Sequence, residues 1–389
     1  MNNIRPEIQL LLLCLSINPE PLAIEKIKEL SSSGIDWPYL IGFASRHKVL
    51  TVLYKTLNNL PTGAPQSRVL DKLRVKVLNN STRNIYLTEI LIRIVSLFEE
   101  NGIESIPFKG PVLAESLYGD ISLRHFSDLD ILVPEKDVQK AKELLIESGY
   151  KPEVLLNVNQ EKIYIRNEFD YKFFGENGNI VIELHWNMSG NYLNKPLHYP
   201  FIIQHCTDFT LSTRPINNIS NEFLLVFLSV HACKHVWESL EQVLCIAELT
   251  KKKPDWKEVL SIAETLNCSR MLFVGLLLAK NLLNVPLPEW IIQDAKAGKL
   301  CKTVALDLLN ENTKVAAPAQ ERFSIFHFKV RERFQDKFHF GLYLLFTPSR
   351  KEWLTFPLPA GLAFLHYVLR PLRLAISFFS QKRDNKRNR

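Results

Sequence analysis

The sequence predicts an α+β protein in which a small mixed-sheet core is flanked by N-terminal and C-terminal helical regions. Three observations carry that prediction. Apolar residues recur at spacings of three and four through the first hundred positions. Short apolar or alternating segments replace them between Ile103 and Trp186. Helical spacing then returns from Asn221 onward. At 389 residues the chain also exceeds the ~250–300 residues that one core usually supports. The expected division is a helical region over 1–101, an α/β core over 102–190 and a helical region over 191–389.

In the first region the apolar spacing marks helices over Ile8–Leu15, Leu22–Leu30 and Trp37–Phe43, with Asp36 as N-cap of the third and Pro38 in its first turn. One long helix is expected from Ser67 to Asn101, with a break around Asn79–Ser81 and an end at Gly102. Ile103–Phe108 reads as a buried strand, Lys109-Gly110-Pro111 as a turn, and Pro111 as the start of a helix to Tyr118. Asp128–Val133 is a strand closed by Pro134, and Glu135–Ser148 an amphipathic helix ended by Gly149. Phe169–Phe174 and Ile180–Trp186 form a hairpin about Asn177-Gly178. After a loop that includes Asn194–Pro200, helices are expected over Asn221–Trp237, Leu240–Thr250, Trp256–Leu266 and Arg270–Leu283, then weaker ones to the end.

Composition excludes some function classes. The net charge is +7, but Gln381–Arg389 alone carries +4, so a uniformly basic, sequence-specific nucleic-acid surface is not expected. That tail is either a solvated terminus or a weak contact for an anionic membrane. No stretch reaches the ~20 apolar residues that span a bilayer. The nearest, Pro357–Phe379, is interrupted by His366, Arg370, Pro371 and Arg373, and reads as a core or partner-facing helix pair. Leu10–Ile17 lacks the features of a secretory signal. The six cysteines form no CxxC and most sit in apolar surroundings, as expected of reduced thiols in a cytoplasmic protein.

The chemistry-bearing residues cluster in the middle region. Asp128 and Asp130 flank Leu129 on a strand, so both carboxylates project to one side at ~7 Å between Cα atoms. Such a pair repels itself unless a cation or proton intervenes, and Mg2+ (or Mn2+) suits carboxylate oxygens shared with phosphate. The alternative is two solvent-facing edge aspartates. In the second hairpin strand, alternation puts Glu183 and His185 on one face, offering a third carboxylate and an imidazole that either contacts phosphate or orients Glu183. His185 reads equally well as a satisfied structural histidine. Lys109-Gly110 at a strand-to-helix turn offers a mobile charge and a close backbone approach to phosphate. Arg124 either reaches phosphate or pairs with a nearby acid. His231 and His235 stand i, i+4 on one helix, a spacing that serves zinc, helix packing or phosphate contact.

The order of these signals resembles the nucleotidyltransferase superfamily, and within it a bacterial family of uncharacterised nucleotidyltransferases. The resemblance rests on Phe108-Lys-Gly110, Arg124, Ser127-Asp-Leu-Asp-Ile-Leu-Val133, Glu183-Leu-His-Trp186 and the later His231-Ala-Cys-Lys-His235, and covers about residues 85–250. It implies Asp128, Asp130 and Glu183 as catalytic metal ligands. It implies Lys109, Gly110, Arg124, Ser127 and His185 toward a nucleoside triphosphate. The implied reaction moves an NMP group from an NTP to an unknown small-molecule, saccharide or peptide acceptor and releases pyrophosphate. The chain departs from the pattern where Pro111 follows Gly110 in place of a hydroxyl residue, and where Val243–Leu249 lacks an aspartate. A catalytically silent nucleotide-binding or protein-interaction module on the same fold is the alternative, and a zinc hydrolase built on the helical histidines is a third class.

Overall fold

Residues 4–16, 19–60, 67–175, 178–195, 197–310, 325–348, 362 and 365–374 are described by the structure, a computed structural model. The N-terminal periodicity resolves into α1 (Pro6–Cys14), α2 (Pro21–Ser31), α3 (Trp37–Arg46), α4 (Leu50–Asn58) and α5 (Ser67–Glu100). Asp36 caps α3 as expected, its side chain accepting from the Tyr39 N–H at 3.0 Å. Helix α5 runs 34 residues without the break expected at Asn79–Ser81. The polar residues that suggested a break serve another segment. Asn80 Nδ2 donates to the carbonyls of Ser122 and Arg124, and Asn84 Nδ2 to those of Ile121 and Arg124. From α4, Thr51 Oγ1 donates to the Leu123 carbonyl at 2.5 Å. The irregular stretch 121–124 is therefore held by side chains where it has no helix or sheet ladder to hold it.

The middle of the chain gives β1 (Ile106–Pro107), α6 (Gly110–Tyr118), β2 (Asp128–Leu132), α7 (Val138–Glu147), β3 (Lys151–Pro152), α8 (Val158–Asn167), β4 (Asp170–Gly175) and β5 (Ile180–His185). The five strands form one sheet in the order β1-β2-β5-β4-β3. The strand expected over Ile103–Phe108 shrinks to two residues. Both β3 and α8 are additions, and α8 begins with a reciprocal capping box between Asn157 and Gln160. Strands β4 and β5 pair antiparallel with Lys172 opposite Glu183 and Asp170 opposite His185. Asn177 of the expected hairpin turn lies outside the described residues, while Gly178 adopts φ +86°.

Downstream come α9 (Tyr199–Ile202), β6 (Cys206–Leu211) and β7 (Arg214–Ile219), the last two an antiparallel hairpin too polar to register as strands in the sequence. Helices α10 (Asn221–Lys234), α11 (Leu240–Lys251), α12 (Trp256–Thr265), α13 (Ser269–Leu283), α14 (Ala295–Leu309), α15 (Ile325–Lys329) and α16 (Phe334–Phe346) follow, then a helix over 365–374. Most of Pro357–Phe379 and all of Gln381–Arg389 lie outside the described residues. Among those described, no helix is long and apolar enough to cross a membrane.

The chain forms two compact units. One comprises Met1–Ser96, Ile106–Leu129 and His205–Glu332, and the other Leu97–Ser105, Asp130–Gln204 and Arg333–Arg389. In the first, α10 stops short of Trp237 because Val236 and Trp237 take left-handed φ of 54° and 53°. A β-branched residue resists that conformation, and two hydrogen bonds hold it, Val236 N–H to Cys233 and Trp237 N–H to Ala232. The turn drops the Trp237 indole onto Gly275 of α13, where an added Cβ would stand 2.9 Å from Cη2 and 2.8 Å from Ser229 Oγ. His47 is buried beneath α11, its Nδ1 accepting from the Leu240 N–H and its carbonyl from the Glu241 N–H. Burial, aided by the Arg46 charge, pulls its pKa down to about 4. In the second unit Tyr164 stacks on Tyr171 at 4.8 Å, and Trp186 closes the group while donating Nε1–H to the Ile165 carbonyl.

Two measurements check this packing. Gly275→Ala forces Trp237 or Ser229 to move and should destabilise the first unit by about 1–3 kcal/mol in urea unfolding; unchanged stability would mean the indole does not occupy that niche. His47 is neutral when folded and has a pKa of about 6.5 unfolded, so its contribution is full above that value and is lost as pH falls toward 4. The His47→Gln variant should therefore show a shallower decline of stability between pH 7 and 4, by on the order of 3 kcal/mol across the window.

Candidate active site

Strand β2 begins at a half-exposed Asp128 and then goes wholly into the interior. Asp130 is 2% exposed, a carboxylate that burial would neutralise unless something answers its charge. His185, at the end of β5 and equally buried, answers it: Nε2–H donates to Asp130 Oδ1 at 3.1 Å. The same nitrogen lies 3.6 Å from Glu183 Oε2. Burial works against a charged ring, but the bonds to Asp130 and Glu183 and the charges of Asp130 and Asp170 outweigh it and push the His185 pKa up to about 9. The ring of Phe169 stacks near it at 6.1 Å between centroids.

Glu183 has a second cation. Lys172 Nζ stands 2.7 Å from its Oε1, as the β4–β5 register requires of residues directly opposite. One ligand atom each from Asp130, Glu183 and His185 lies within 4.8 Å of the other two, and among the described residues no other set of three potential metal ligands gathers this closely. The two carboxylates suit a divalent cation of the magnesium-to-manganese range, while His185, with its pKa raised to about 9, orients them as a donor. The geometry thus brings together three of the residues singled out from the sequence. Asp170 and Lys172 were missed. Counting back from the Gly178 turn would have placed them opposite His185 and Glu183.

In the first unit the Lys109–Gly110 turn opens α6. Gly110 adopts φ +53°, and an added Cβ would sit 3.2 Å from the Asp128 carbonyl, so glycine is required twice over. Lys109 Nζ lies 5.2 Å from the Phe108 ring centroid, Phe108 packs edge-on against Phe227 of α10, and His231 and His235 continue the row, 4.6 Å apart. Burial first, then the charges of Lys109, His235, Lys234 and Arg124, depress the His231 pKa. Arg124 donates Nε–H to Glu241 Oε1 at 2.7 Å in a pair that is almost wholly buried. Burial disfavours both charges, yet each partner holds the other ionised, and Cys245 Sγ adds a hydrogen bond to the same carboxylate oxygen. The acid paired with Arg124 is thus far along the chain rather than the neighbouring Asp120. Ser127 is exposed ahead of β2.

Of three comparisons with known proteins, one bears on this arrangement. No curated protein matches the chain. The solution structure of the antibiotic-resistance factor ANT(2'')-Ia is similar at a TM-score of 0.34 and 12% identity, over 47% of this chain and 91% of that one, too distant to support an argument. The family described as uncharacterised nucleotidyltransferase matches residues 33–284, a span that takes in Lys109, Gly110, Arg124, both aspartates, Glu183 and His185. On that match the chain belongs to the uncharacterised nucleotidyltransferase family.

Proposed function

We propose that the protein moves an NMP group from a nucleoside triphosphate to an acceptor nucleophile with release of pyrophosphate, in a reaction that depends on Mg2+ or Mn2+. The observation that carries the reading is the Asp130–His185–Glu183 cluster, with Asp130 and His185 buried and Glu183 partly exposed. Asp128 lies two positions earlier on the same strand, and strand alternation directs its side chain to the side that Asp130 takes. Asp128, Asp130 and Glu183 would hold the ion. When bound, it would supply charge neutralisation at the phosphates and Lewis-acid activation of the reacting oxygens.

The chain's own residues have separate tasks. His185 holds Asp130 in one rotamer and keeps it ionised. Glu183, turned by Lys172 and His185, either completes the cation site or accepts the proton of the attacking hydroxyl. On the family's pattern the Gly110 turn and the N–H groups opening α6 would serve the triphosphate, with Lys109, Arg124 and Ser127 as further donors. Glu241 holds Arg124 through Nε, so a phosphate would meet only its terminal guanidinium nitrogens. The acceptor oxygen attacks the α-phosphorus, the bond to the bridging oxygen breaks, and pyrophosphate departs. The buried thiols of Cys14, Cys233, Cys245, Cys268 and Cys301 support a reducing, cytoplasmic setting.

Asp128→Asn and Asp130→Asn should each lower pyrophosphate release from the preferred NTP by roughly two to three orders of magnitude, with circular dichroism unchanged. Calorimetry of each NTP with and without Mg2+ separates the rival module: metal-dependent binding by a wild-type protein that never releases pyrophosphate with any acceptor fraction would replace catalysis with a binding role. Lys172→Met removes the resident cation beside Glu183, so Mn2+ should bind about tenfold tighter by titration calorimetry. Weaker Mn2+ binding in that variant would place the ion away from Glu183.

A further inference from the structure

We infer that α16 and the helix 365–374 form a face that lies on an anionic lipid surface. This inference stands apart from the catalytic reading. One side of α16 is pinned to its own unit: Asp336 accepts from Asn194 Nδ2 at 3.2 Å, and Phe340 packs edge-on against Tyr192 at 5.6 Å. The other side carries Phe334, Phe338, Leu342 and Leu345, spaced i, i+4, i+8 and i+11, and these are 80%, 60%, 41% and 44% exposed. That spacing is one continuous helical stripe. The following helix repeats the pattern. His366 and Arg370 are buried, Arg370 Nε–H donating to the Leu344 carbonyl and so tying this helix to α16, while Val368, Leu369 and Leu372 are exposed.

Water is a poor neighbour for so much contiguous hydrocarbon, and charge indicates what replaces it. From Arg333 to the end the chain holds eleven basic and three acidic residues, a net +8, against +7 for the whole protein. The preceding 332 residues are thus close to neutral, and the excess positive charge is confined to the segment that exposes the apolar stripes. Hydrophobic stripes carried by a sequence segment with this excess of lysine and arginine match a leaflet of acyl chains under anionic headgroups. Thirteen residues of α16 reach only about 20 Å, so the helix lies along the surface and does not cross. A second copy of this chain would bring +8 against +8, which disfavours self-association through the same face.

Co-sedimentation with vesicles tests this on the full-length protein. Wild type should bind phosphatidylcholine vesicles containing phosphatidylglycerol, bind pure phosphatidylcholine at least about tenfold more weakly, and be released by added salt. Phe334→Ser with Phe338→Ser, both highly exposed, should lower vesicle affinity by about tenfold or more with circular dichroism unchanged. Three results would each overturn the inference: no sedimentation with either vesicle, equal binding by the double variant, or light scattering that shows a dimer which the double variant splits into monomers.

Discussion

The hydrogen bond from His185 to Asp130 is the constraint from which the rest of the candidate site follows. A lone carboxylate at 2% exposure would take up a proton or drag water inward. With the His185 ring, its pKa raised to about 9, donating to it, the Asp130 carboxylate is answered inside the sheet, and β2 can run wholly buried past it. The same ring then reaches Glu183, and Lys172 across the hairpin supplies the second positive charge. Asp130, Glu183 and Asp170 against His185 and Lys172 leave an excess of one negative charge. An arrangement so biased attracts cations without being torn apart in their absence.

The first unit solves a related problem with a different pair. Arg124 and Glu241 are 117 positions apart in sequence and almost fully buried together, and removing either would strand the other. Glu241 sits in the first turn of α11, whose opening N–H groups take the His47 ring nitrogen and carbonyl. The guanidinium is therefore anchored to a helix start that is itself anchored to α3. Position along the chain says nothing of this, because both partners look like ordinary surface charges in their local sequence.

What the sequence revealed, and what it hid, follow physical lines. Helices with a strong apolar stripe were legible to within a few residues, α3, α7 and α12 among them, because burial on one face imposes a period. The β4–β5 hairpin was legible for the same reason, with a period of two. Elements stabilised by partners distant in sequence were not: β3 is two residues held by β4, and β6–β7 carries Thr207, Asp208, Asn217 and Asn218 in a ladder that no hydrophobic alternation announces. Asn79–Ser81 misled because asparagine disfavours helix interiors, whereas here Asn80 and Asn84 serve as donors to another segment. Of the candidate site, Asp130, Glu183 and His185 were readable from alternation and spacing. The charge partners Lys172, Asp170 and Glu241 needed register or tertiary contact, which spacing alone does not contain.

The side chains gripping Ile121–Arg124 have a thermodynamic corollary. A loop that orders only on ligand arrival sets its ordering entropy against affinity, roughly 1–2 kcal/mol for each residue fixed. Here Thr51, Asn80 and Asn84 have already immobilised the four carbonyls leading toward Asp128. Whatever settles beside that strand start meets a preorganised rim, and its association should proceed as a rigid docking, free of the slow, temperature-sensitive step that accompanies loop closure.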